Sequence, residues 1–230
     1  VKARPDLGEA QALLGQVYLQ DSEELRNAQL QAWAKQLPQS CENEAEIWLV
    51  RGLWSQQQAD WVGAARCFGE ALQRRPDHLM ATSQLAGCLT AIGEPNSAKP
   101  LIQRAQLLEE LGMRCHLLQQ APATAKTVAR IAELCEQLGR YWEAISWSQL
   151  FLRRPAPKAD QFKPERVAQV MADYRQAKLI VDGVHQRVSN ELGPKLPRVA
   201  PEFQIASSLE LSRFKLPDFT LDIVARRIGP

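Results

Sequence analysis

Histidine is scarce in this chain of 230 residues. His78, His116 and His185 stand far apart, none at catalytic or metal-ligand spacing from a carboxylate or cysteine. No GxSxG, HExxH, Walker-type or GxGxxG stretch occurs, so the usual sequence signs of a nucleophile, a zinc helix or a phosphate-cradling loop are missing. The paired acids Glu109–Glu110 and the group Asp21, Glu23 and Glu24 read as solvated helix-end charges rather than as acid–base machinery. The five cysteines, Cys41, Cys67, Cys88, Cys115 and Cys135, are odd in number and lack CxxC spacing, which points to small core residues rather than a metal or redox site. Cys115–His116 completes no haem-attachment sequence, because residue 112 is glycine. No apolar run approaches the roughly 18 residues of a membrane span, and no charged-then-apolar signal segment follows Val1. A net charge of +2 implies no dominant polyanionic partner, so no nucleic acid is expected. Nothing argues for catalysis, no cofactor or metal is implied, and the compartment stays open.

What is present is an apolar fraction of 45% beside 23% charged residues, the balance of a soluble folded chain. The most informative stretch is 45–76, AEIWLVRGLWSQQQADWVGAARCFGEALQRRP. Two antiparallel helices approach closely only where small residues meet, and Gly52, Ala64 and Ala71 supply them. Trp48, Trp61 and Phe68 fill the space around those contacts, and Pro76 ends the second helix. This large–small–aromatic–small–aromatic–small–Pro order resembles a tetratricopeptide repeat (TPR). The resemblance implies a helical hairpin that buries its apolar faces only against neighbours of the same kind.

Three further stretches follow the same template. Residues 8–38 carry Leu14, Gly15, Tyr18, Ala28, Ala34 and a stopping Pro38, while Pro5 suits the end of a further repeat upstream. Residues 79–110 carry Leu85, Ala86, Leu89, Gly93, Ala98, Ile102 and Ala105, with Gly93 at the turn. Pro100 predicts that the second helix there starts late or bends. The run 113–124 breaks the register and reads as an insertion ending in a loop. A fourth repeat, 125–155, has Val128, Ile131, Ala132 and Cys135, then Gly139, Tyr141, Ala144 and Trp147. Its RYWEAISWSQLFLRRP echoes DWVGAARCFGEALQRRP of the second.

The expected architecture is therefore an all-α, TPR-like α-solenoid of about four hairpins over 1–155 and a polar linker at 156–163. A long helix over 164–192 and a Pro-containing extended tail at 193–230 complete it. Pro164 suits the first turn of that helix, and Val167, Val170, Tyr174, Ala177, Val181, Val184 and Val188 draw one apolar seam along it. The expected role is a cap on the last repeat.

The resemblance further implies a concave groove lined by the first helix of each hairpin. Glu46, Leu49, Val50, Leu53, Gln56 and Gln57 would line it in the second repeat, and Met80, Ser83, Gln84 and Gly87 in the third. Such a groove suits an extended or helical peptide with hydrophobic anchors. The same leucines and valine equally suit packing against a neighbouring hairpin. Lys126 and Arg130, four apart on one helical face, fall where some TPR domains grip a terminal carboxylate. Leu49, Leu53 and Gln84 occupy the other positions of that clamp, so the pair reads as a local anion contact or a solvated basic face. The functional expectation is a non-catalytic interaction module or scaffold for another protein or peptide. A second reading makes the chain the regulatory or substrate-presenting region of a larger multidomain enzyme or surface protein. Trp54 and Trp142, aromatics beyond the template, are candidates for self-association.

Overall fold

Helix is the sole regular structure among the residues that the computed structural model describes, 7–120, 124–153 and 155–188. Nine α-helices follow in order among them: α1 (Gly8–Tyr18), α2 (Glu23–Gln36), α3 (Ala45–Gln57), α4 (Trp61–Arg74), α5 (Leu79–Ala91), α6 (Pro95–Gln120), α7 (Ala125–Gln137), α8 (Tyr141–Leu152) and α9 (Pro164–Gln186). Short 3-10 turns occupy Gln39–Asn43 and Ala159–Gln161. The all-α expectation holds for these residues. The tail expected at 193–230 lies outside them. Two compact units divide the chain, the described part of the first ending at Ala105 and that of the second beginning at Gln106.

In the first unit α1 packs on α2 and α3, α3 on α4, and α4 on α5. Gly52 makes the α3–α4 crossing possible: a Cβ there would stand 2.5 Å from the Phe68 ring, far inside van der Waals contact. Gly15 plays the same part for α1, where a Cβ would meet Val50 at 2.8 Å and Trp33 at 2.9 Å. The Trp33 indole N–H donates to the Gln11 carbonyl at 3.0 Å, which satisfies its polar atom inside the core. Ala28 of α2 is exposed, so Leu30 and Trp33 rather than that alanine anchor the helix.

Three turns are built alike. After α3, α5 and α7 the chain passes through Ala59 (φ 58°), Gly93 (φ 86°) and Gly139 (φ 75°). The N–H of the following residue bonds back across the turn, Asp60 to the Ser55 carbonyl, Glu94 to Leu89 and Arg140 to Cys135. Ala59, Gly93 and Gly139 themselves donate to the carbonyls of Gln56, Thr90 and Glu136. This paired pattern is the Schellman motif, which satisfies the last carbonyls of a helix through one left-handed residue.

α6 corrects the expected late start and the expected loop after residue 113. It begins at Pro95 and continues to Gln120 with Pro100 inside it. Pro100 lies in the second turn with its ring exposed, and Ala98, Leu101 and Ala105 keep the first part of the helix pinned by burial. Residues 113–120, expected to lead into a loop, extend the same helix. The reason is a continuing apolar stripe: Leu108, Leu111, Cys115 and Leu118 recur at three and four residues and pack on the second unit's core.

In the second unit α7 packs on α8 and on α9, and α8 also packs on α9. Ala177, Val181, Val184 and Val188 of the predicted seam are buried, while Val167, Val170 and Tyr174 are half-buried. Val181 meets a cluster with Val128, Ala129 and Phe151, and Val184 meets Ile131, Leu134 and Cys135. Pro164 sits at the start of α9 as expected.

Candidate functional site

The residues expected to line a groove on α3 are distributed by packing. Leu49 is 2% exposed and Val50 0%, so both belong to the core and neither offers a surface. Leu53 is half-buried against the cluster of Leu30, Trp33 and Ile47. Of the two readings of these apolar residues, internal packing describes their positions.

Glu46 is equally engaged. Its carboxylate accepts from Arg75 at 2.6 Å and lies 3.2 Å from His78 Nε2. The other ring nitrogen of His78 accepts the Ala81 N–H and so caps α5. Burial works to raise the Glu46 carboxyl, but the His78 and Arg75 interactions outweigh it and hold the group below the usual range. The triad thus ties the start of α3 to the start of α5. Gln56 is half-buried and Gln57 exposed.

α5 differs. Met80 is 51% exposed, and Ser83 and Gly87 are exposed beside a half-buried Gln84. Spaced by three and four, these four residues share one face of the helix. A Cβ on Gly87 would have no atom of the described residues within 4 Å, so no packing among them asks for glycine there.

On α7, Arg130 is committed to a network. It donates to both Glu110 oxygens, at 2.6 and 3.0 Å, and also to Glu133, while Arg114 donates to Glu110 at 2.8 Å. The Arg130 hydrogen bonds, helped by Arg114 and opposed by burial, hold the Glu110 carboxyl down to about 2. The same partners stabilise the charged guanidinium of Arg130. Lys126, one turn earlier, is exposed and forms no ion pair among the described residues. The two bases that looked equivalent in sequence therefore differ in availability.

Sequence reasoning missed a cavity of about 640 Å³ where Lys126 stands. Its walls come from the start of α7, the end of α8, the connecting stretch with Pro155, Pro157 and Phe162, and the first turns of α9. Phe151 and Tyr174 stack within it, ring centroids 5.5 Å apart.

Trp54 is half-buried, its indole N–H bonded to Asn27 at 3.0 Å, so it is held inside its unit, whereas Trp142 is 42% exposed. Cys41, Cys88 and Cys135 are buried, and burial pushes the thiols of Cys67 and Cys88 up to about 11, far from the thiolate form at neutral pH. Among the described residues no group of three or more His, Cys, Asp or Glu is placed to hold a metal ion, and no helix is long and apolar enough to cross a membrane. Compared with known proteins, the chain matches no family model and no curated protein.

Proposed function

We propose that this chain is a non-catalytic interaction module, built of TPR-like hairpins, that binds a peptide segment of a protein partner along α5. The bare face of Met80, Ser83, Gln84 and Gly87 carries this reading. A glycine within a helix costs about 0.5–1 kcal/mol relative to alanine. Where none of the described residues fills the space, a use for glycine is to let another backbone approach. Met80 supplies a flexible apolar anchor beside it and Gln84 an amide. In the same reading α9 is a cap: it stands against α7 and α8 where the first helix of a further hairpin would pack.

The test is affinity capture with the wild-type chain, Met80→Glu and Gly87→Arg. Both substitutions fall on open surface, so circular dichroism should show unchanged helix content. A protein retained by the wild type and lost by both variants is the expected result. Equal retention by all three would exclude the α5 face.

A further inference from the structure

The cavity in the second unit opens beside the core cluster of Val128, Phe151 and Val181 and brings to it polar side chains that the packing does not use. Its accessible floor is apolar, formed by the half-buried Phe162, Val170 and Tyr174 over the buried Val128 and Phe151. Two cations border it, Lys126 from α7 and Arg166 from α9, and neither forms an ion pair among the described residues. The lining has a single carboxylate, Asp173, which already accepts the Gln169 amide at 2.8 Å. One positive charge is left in excess beside an apolar floor. The contrast with Arg130 is instructive, since that residue, on the same helix, is neutralised by Glu110 and Glu133.

We propose that this cavity binds an acidic peptide segment, with one bulky aromatic or branched side chain seated against the Tyr174 ring and an adjacent carboxylate between Lys126 and Arg166. Three features select this occupant. The volume lies within the roughly 300–1,000 Å³ of ligand sites, room for about three peptide residues. Tyr174, held by stacking on the buried Phe151, presents a half-buried ring against which an aromatic side chain gains more than area burial alone. The excess charge is positive, which suits an anionic occupant. The cavity lies wholly in the second unit and shares no residue with the α5 face, so its assignment stands or falls separately.

The experiment titrates the full chain with three acetylated, amidated tripeptides: glutamate–phenylalanine–glutamate, its glutamine–phenylalanine–glutamine counterpart, and glutamate–alanine–glutamate. Amide shifts in two-dimensional NMR provide the readout. Saturable shifts at Val128, Val170 and Tyr174 with the first peptide, and at least tenfold weaker binding of the other two, are expected. Lys126→Glu and Arg166→Glu should each lower affinity tenfold or more, and Arg166→Gln should lower it less. Gly87→Arg should leave it unchanged. Equal binding of all three peptides, or no saturation with the first, overturns the proposal. So does 3-phenylpropionate binding as tightly as the acidic tripeptide, because the cavity would then be a site for small carboxylates.

Discussion

Ala59 holds a left-handed conformation, φ 58°, at the turn position that Gly93 and Gly139 occupy after α5 and α7. A β-carbon there crowds the following carbonyl, a strain of about 1–2 kcal/mol that glycine avoids. Ala59→Gly should raise stability by about 1 kcal/mol, after the extra freedom glycine adds to the unfolded chain. Gly93→Ala should lower it by a similar amount. Urea midpoints at unchanged slope would measure both changes. Gly52 and Gly87 form a second contrast, in space rather than backbone angle. Gly52→Ala forces a methyl group against Phe68 and should cost about 1–3 kcal/mol. Gly87→Ala meets no atom of the described residues and should stabilise by about 0.5–1 kcal/mol. If Gly87→Ala destabilises, an unseen packing demand exists and the argument for an open face on α5 fails.

α6 and α7 are tied by the Glu110 network as well as by apolar contact. Glu110 has a depressed carboxyl, so its contribution is fully present above the unfolded value near 4.5 and disappears as pH falls toward about 2. Because all four side chains are partly solvated, Glu110→Gln should cost only about 1 kcal/mol at neutral pH and progressively less as pH falls through about 2. Thermal unfolding of both chains across that range would show the two converging. The same elements show what the sequence makes legible. Gly52 and Phe68 announce the α3–α4 crossing because close approach demands one small and one large partner. The start of α9 and its seam were readable because Pro at a first turn and a three–four apolar spacing have local causes. The continuation of α6 was harder to see: its stripe of Leu108, Leu111, Cys115 and Leu118 is interrupted by Arg114 and His116, and reading it against a 34-residue template hid it. For the candidate site, periodicity placed Leu49, Val50, Met80 and Gln84 on helix faces but not which neighbour covers which face. The cavity was least visible, since its walls come from four stretches between Thr124 and Tyr174 that carry no shared motif.

Across the whole molecule, burial rather than local propensity decides which helices are held. α9 has mixed composition along its length, and what fixes it is the set of side chains that α7 and α8 would otherwise leave open to water. Val181, 0% exposed, touches the cluster of Val128, Ala129 and Phe151, while Leu179, two residues earlier, is 75% exposed. A carboxylate at position 181 would be buried without a partner, whereas one at position 179 would stand in water. Val181→Asp should therefore cost about 3–5 kcal/mol, release α9, and speed amide exchange in α7 and α8, whose apolar faces it covers. Leu179→Asp should change stability by no more than about 0.5 kcal/mol. Exchange followed by mass spectrometry separates the outcomes. Loss of protection across α7, α8 and α9 together in the first variant, and in none of them in the second, is what a covering helix requires. Loss confined to α9 would mean that α7 and α8 hold without it, and the capping role would be withdrawn.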